Sequence, residues 1–224
     1  MKAALVYTST TPELIELVEK LVKEALPQGT EIASYQDPSI LAEVREKGYV
    51  TVPPAARLVG MYTKAMSEGA DAILNICSSV GEVADSAQSF AKYTGIPIVR
   101  IDEEMCREAV RLGNRVGVVA TLSTTLAPTK NTVLRVAREM NKHVELVDAL
   151  VDGAFGLDQE QFKKLMTEYC TKIKDQVDVI LFAQGSMAYC EEYIHEKLGI
   201  PVFSSPRFGA QELRKALLAK GMIK

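Results

Sequence analysis

Hydrophobic positions recur along this chain with two different periods. Short runs in which nearly every residue is apolar alternate with longer stretches in which apolar residues return every three or four positions. The first pattern suits strands buried on both faces, and the second suits helices with one face in a core. Strands are predicted at 3–8, 31–35, 72–76, within 95–101, and at 115–121, 144–150, 177–183 and 199–203. Helices are predicted at 13–25, 40–47, 55–67, 102–112, 128–141, 158–174, 188–198 and 211–220. Pro12, Pro53 and Pro54 stand where helices begin, and Gly48, Gly69 and Gly113 where they end, the usual asymmetry of these residues. Regular alternation of strand and helix predicts an α/β fold with parallel sheets.

One stretch organises the rest. Ala72 to Ile76 is a continuous apolar run save for Asn75, and Cys77, Ser78 and Ser79 follow it. Helical spacing resumes through Val83, Ala84, Ala87, Phe90 and Ala91. Cys77 is therefore expected at the carboxyl end of a parallel strand and the amino end of a helix. Open α/β sheets bind ligands at that edge. Free N–H groups and the helix dipole favour anions there and are expected to lower a thiol's pKa. The competing reading is an inert, buried cysteine.

The elements also repeat. Lys2 to Thr8 echoes Arg115 to Thr121, Ala70-Asp71-Ala72-Ile73-Leu74 echoes Val177-Asp178-Val179-Ile180-Leu181, and Gly95-Ile96-Pro97 echoes Gly199-Ile200-Pro201, in the same order. Such matches in register indicate an internal duplication. The expected organisation is a first α/β lobe at 1–113 carrying Cys77, a second at 114–206 carrying Gln184, and a helix at 207–224 that crosses back to the first. Two pseudo-symmetric lobes are expected to enclose a ligand cleft, a favoured place for small-molecule sites.

Composition narrows the function. The chain has 224 residues, 47% of them hydrophobic, enough for a substantial core, and a net charge of −3. No basic patch or arm points to nucleic acid. No run is long enough to span a bilayer and no signal segment opens the chain, so a cytoplasmic protein without membrane contact is expected. The four cysteines form no CxxC pair, and His143 and His195 are the only imidazoles. No metal site is expected from these spacings. Cys106 and Cys170 fall within helical patterns.

Each half offers one hydroxyl-rich first loop, Thr8-Ser9-Thr10-Thr11 and Thr121-Leu122-Ser123-Thr124-Thr125. Each also offers one strand end, Cys77-Ser78-Ser79 and Gln184-Gly185-Ser186. Donors of this kind suit a carboxylate. No Gly-rich phosphate loop is present, which argues against a nucleotide. Thr8, Ser9, Thr10, Ser78, Ser79, Thr121, Ser123, Thr124 and Gly185 are the candidate substrate-binding residues. Glu82 and Asp85 read as exposed first-turn acids. Arg57 and Arg207 are candidates for pairing with a second acidic group on a substrate.

Three segments carry a family resemblance: Asn75-Ile76-Cys77-Ser78-Ser79, Gly117-Val118-Val119-Ala120-Thr121 with Thr124-Thr125, and Ala183-Gln184-Gly185-Ser186-Met187. Over nearly its whole length the chain resembles the aspartate/glutamate/hydantoin racemase superfamily. The resemblance implies two facing α/β lobes, no cofactor, and a cysteine at a strand end of each half. One thiol removes the proton at the carbon α to a carboxylate and the other returns a proton to the opposite face. It implies a cofactor-independent isomerase of a small amino or hydroxy acid, with Cys77 as the acid/base, working as a homodimer or higher homo-oligomer.

The chain departs from that pattern in its second half. Cys77 lies six residues beyond Asp71, and the same count from Asp178 reaches Gln184. An amide is no proton-transferring base at neutral pH. Ser186 could take the second role if the strand register were shifted, and Cys190 falls about one turn into the next helix. The catalytic candidates are thus Cys77, Gln184 and Ser186. One-cysteine members of the superfamily, such as arylmalonate decarboxylases, suggest an alternative, a lyase working through an enediolate. A non-catalytic small-acid binding protein is the third reading.

Overall fold

The computed structural model describes residues 1–8, 11–154 and 157–223. Two sheets are present, each of four parallel strands. The first has the order β2-β1-β3-β4, built from β1 (Lys2–Tyr7), β2 (Glu31–Gln36), β3 (Ala72–Ile76) and β4 (Ile98–Arg100). The second has the order β6-β5-β7-β8, from β5 (Arg115–Ala120), β6 (Glu145–Leu150), β7 (Val179–Phe182) and β8 (Val202–Ser204). The chain divides into two compact units, Met1–Ile101 with Pro206–Lys224, and Asp102–Ser205.

The duplication is visible in the hydrogen bonds. Asp71 accepts a bond from the backbone N–H of Lys2 at 2.8 Å, and Asp178 from that of Arg115 at 2.9 Å. Ala3 pairs with Ala72 in one sheet and Val116 with Val179 in the other. The two central strand pairs therefore have the same register.

In the first unit, α1 (Pro12–Ala25) and α10 (Ser205–Ala219) cover one face of the sheet. Leu14, Val18, Val22, Leu213 and Leu217 there meet Leu5, Tyr7, Leu74 and Ile76. The other face packs Val6 and Ile73 against α2 (Pro38–Lys47) and α3 (Val52–Ser67), through Ile40, Val44, Leu58 and Tyr62. In the second unit α6 (Glu103–Leu112) lies on α7 (Ser123–Glu139). The opposite face buries Val119, Ile180 and Phe182 under α8 (Gln159–Ile173) and α9 (Glu191–Leu198). No helix among the described residues is long and apolar enough to cross a membrane.

Several boundaries differ from the sequence reading. The change of unit falls at Ile101/Asp102 rather than at Gly113, because α6 is tied to α7. Glu103 pairs with Arg107 at 2.6 Å and with Arg135 at 2.7 Å, and Arg135 pairs in turn with Glu139 at 2.7 Å. Helix α7 starts at Ser123 and carries Pro128 inside it, where the sequence places a helix start. The predicted helix after Cys77 is broken into a 3₁₀ turn (Ser78–Val80), α4 (Gly81–Ser86) and α5 (Gln88–Thr94). Helix α10 begins immediately after β8, ahead of its predicted start.

Candidate active site

In the first unit the parallel register decides what stands beside what. Tyr7 is paired with Ile76, so Thr8 and Cys77 emerge side by side where β1 and β3 end. Cys77 has an extended backbone (φ −169°, ψ 116°) and caps the 3₁₀ turn that follows. That turn brings the backbone N–H groups of Ser79 and Val80 and the Ser79 hydroxyl to the sulfur. Thr8 is fully buried, and its Oγ1 has no well-formed hydrogen bond among the described residues. It stands near enough to the thiol to stabilise a thiolate.

These are the donors the sequence leads one to expect, yet the net effect is the reverse of the expected one. Burial pushes the Cys77 thiol above its ordinary value, and the nearby Thr8 hydroxyl and the donors of Ser79 and Val80 only oppose that rise. The resting group is a protonated thiol with a partly exposed side chain. Cys106, Cys170 and Cys190 are all fully buried. Burial raises Cys170 to about 12 and Cys190 to about 11, and both sit in the apolar core of the second unit.

In the second unit the same register sets Thr121 beside Gln184. The Gln184 Oε1 accepts from the Thr121 backbone N–H at 2.9 Å, and its Nε2 donates to the Thr121 hydroxyl. Thr121 and Gln184 thus repeat the pairing of Thr8 and Cys77, with an amide in place of the thiol. Gly185 and Ser186 open a 3₁₀ turn (Gly185–Cys190), and Ser186 is exposed. The register is unshifted, so the counterpart of Cys77 is Gln184 and not Ser186. Ser123 and Thr124 lie in the first turn of α7, the first exposed and the second buried. Ser78 and Ser79 are buried. Ser9 and Thr10 lie outside the described residues.

The charged candidates have partners of their own. Arg57 is held by Glu43 at 2.9 Å, and Arg207 packs over the Phe208 ring at 4.1 Å. Asp85 is not a free first-turn acid, because it pairs at 2.6 Å with Arg100, whose side chain is 2% exposed. Among the described residues no group of His, Cys, Asp and Glu could hold a metal ion. Sequence reasoning missed Tyr62 and the part played by Asn75. The Tyr62 hydroxyl donates to Asn75 Oδ1 at 2.9 Å, and Asn75 Nδ2 donates to the backbone oxygen of Cys77 at 3.2 Å. The available signal was a single amide inside the apolar run 72–76.

The class these features define is an α/β protein with two parallel four-stranded sheets of equal register and small polar residues at the central strand ends. The family model described as Asp/Glu/Hydantoin racemase matches residues 4–213, and the chain belongs to that family. Its fold is similar to that of glutamate racemase isoform RacE1 from Bacillus anthracis, with a TM-score of 0.73 at 16% identity over 99% of this chain and 83% of that one. It is also similar to allantoin racemase from Klebsiella pneumoniae, with a TM-score of 0.69 at 15% identity over 99% and 89% of the two chains. An unliganded arylmalonate decarboxylase matches with a TM-score of 0.60 at 14% identity, over 96% and 91%. No curated protein matches the chain in sequence.

Proposed function

We propose that this protein is a cofactor-independent isomerase, a racemase or epimerase, acting at the carbon α to the carboxylate of a small amino or hydroxy acid. Cys77 is its acid/base group. The observation that carries this reading is the setting of Cys77, the one accessible thiol among the four, at a strand end beside Thr8 and the N–H groups of Ser79 and Val80. The Cys77 thiol first gives its proton to solvent; the Cα–H bond then breaks, an S–H bond forms on the thiolate, and the electron pair moves into the carboxylate as an enediolate. Hydroxyl and N–H donors at the strand ends stabilise the charge that develops there. Gln184 has no proton to give at neutral pH, so inversion takes its second proton from water.

A specific observation favours a second reading. The Cys77 counterpart is an amide bonded to Thr121, and burial keeps Cys77 protonated. A protonated thiol is ready to donate to an enediolate formed by loss of CO₂. A single-thiol decarboxylase would work in this way, and arylmalonate decarboxylase is among the similar structures. Incubation with a panel of small α-amino, α-hydroxy and malonate-type acids in deuterated water separates the readings. Deuterium incorporation with inversion supports the isomerase, and CO₂ release supports the lyase. Binding with neither leaves a small-acid binding protein and overturns both enzymatic readings.

A further inference from the structure

A buried polar side chain costs free energy unless it is paired, so a polar pair set into an apolar layer calls for a reason. Asn75 is 1% exposed and Tyr62 is fully buried. The layer around Tyr62 is apolar, with Val6, Leu58, Ala65, Ile73 and Ile98. Within it the Tyr62 hydroxyl holds the Asn75 amide at 2.9 Å, and that amide holds the carbonyl of Cys77 at 3.2 Å. Burial, and after it the charge Cys77 carries as a thiolate, push the Tyr62 phenol well above its ordinary value, so it remains a donor. The other charged groups near this relay are Arg100 and Asp85, which pair with each other.

The duplicated half provides an internal control. Val6 pairs with Asn75 in the first sheet, and Val119 pairs with Phe182 in the second. The counterpart of Asn75 is therefore Phe182, fully buried in an apolar cluster. The half with a thiol at its central strand end has the polar relay, and the half with Gln184 there has a phenyl ring. Filling the space behind the strand end evidently does not require an amide.

From this asymmetry we propose that Tyr62 and Asn75 are positioning residues for Cys77. The proposal rests on the reading of Cys77 as the reacting group. The bond to the Cys77 carbonyl fixes the peptide plane between Cys77 and Ser78. That plane sets the direction of the 3₁₀ turn, and with it the aim of the Ser79 and Val80 N–H groups at the sulfur. Neither residue touches substrate. Their effect passes through the corner on which the thiol is mounted.

The test is the pH profile of iodoacetamide labelling at Cys77, read by mass spectrometry, in wild type, Tyr62→Phe and Asn75→Leu. Cys106, Cys170 and Cys190 are quantified in the same digests, and thermal melts are recorded by circular dichroism. Loss of the anchor turns the Ser79 and Val80 N–H groups away from the sulfur and removes donors that oppose the rise caused by burial. The labelling midpoint of Cys77 is expected to rise, and its rate at neutral pH to fall roughly three- to tenfold, as for a shift of about half to one unit. The other three cysteines stay slow. If Asn75→Leu does not fold, Tyr62→Phe, which removes only a hydroxyl, decides alone. A Cys77 profile within twofold of wild type, or a midpoint that falls, overturns the proposal, as does parallel acceleration of all four cysteines. None of these readouts needs turnover. A fully active Cys77→Ser enzyme would instead overturn the catalytic reading without altering the labelling result.

Discussion

At the scale of single residues, the account turns on how opposed effects add up at one sulfur. Cys77 has the donors that favour a thiolate and a degree of burial that outweighs them. Thr8→Val removes one donor at almost constant volume. The Thr8 hydroxyl stabilises the charged form, so its loss should raise the thiol further and move the labelling midpoint of Cys77 to higher pH. Thr8→Ser should restore it. A midpoint unmoved in Thr8→Val would show that the buried hydroxyl has no bearing on the thiol. The position of Cys77 at a strand end was legible in the sequence, because an apolar run followed by small polar residues marks the end of a buried parallel strand. Gln184 was legible as its counterpart by counting from Asp71 and Asp178. The direction of the thiol shift was not, because it is a balance of desolvation against hydrogen bonds that only packing fixes. Nor was the link from Tyr62 to Asn75, which joins a helix to a strand with no periodic signature.

At the scale of elements, the corner after β3 shows why periodicity misled. Apolar spacing through Val83, Ala84 and Ala87 fits one helix, but the chain first makes a 3₁₀ turn, and α4 then opens at Gly81. A Cβ on Gly81 would come within 2.3 Å of the Arg100 guanidinium. Arg100 is buried and paired with Asp85, so it has little room to swing aside. Gly81→Ala should therefore cost about 1–3 kcal/mol, the usual range for overpacking, measurable by urea denaturation. A neutral result would mean that Arg100 relocates freely. The second unit offers a pH test. Burial alone would raise the Glu103 carboxyl, but hydrogen bonds from Arg135 and Arg107 outweigh it and hold the group below its ordinary 4.5. A lowered folded-state pKa adds stability above the unfolded value, and that stability disappears as pH falls through the folded value. The stability gap between wild type and Glu103→Gln should thus be full at pH 7 and shrink steadily below about pH 4.5. A gap independent of pH would contradict the ion-pair account of how α6 is held. The start of α7 was illegible for a related reason. Pro128 reads as a helix opening, yet it sits within the second turn of a helix that buries Thr124, Thr125, Thr129 and Thr132.

At the scale of the whole molecule, the duplication gives each unit the same strand order and the same register, while the chemistry at the strand ends differs. The alternation and the repeats were enough to foresee two parallel sheets. Gly113-Asn114 is a strong stop signal and reads as a unit boundary, whereas the ion pairs that hold α6 to α7 leave no mark in a linear pattern. Helix α10 completes the first unit, with Ala210, Leu213 and Leu217 in its core. Its approach is close, since a Cβ on Gly209 would lie 2.9 Å from the Ile101 Cα. Backbone cannot step aside as a side chain can, so Gly209→Ala should destabilise the fold by about 1–3 kcal/mol, seen as a lower melting temperature. An unchanged melting temperature would argue against tight docking of α10. In the proposed reaction the Cys77 sulfur moves the proton at the carbon α to a carboxylate. The most direct test of that step is the rate of α-proton exchange in deuterated water, followed by NMR, for wild type and Cys77→Ser with an acid that the wild type exchanges. The account predicts that the variant folds and that exchange slows by at least roughly 10²-fold, as for loss of an acid/base group. Exchange by Cys77→Ser at the wild-type rate would contradict it.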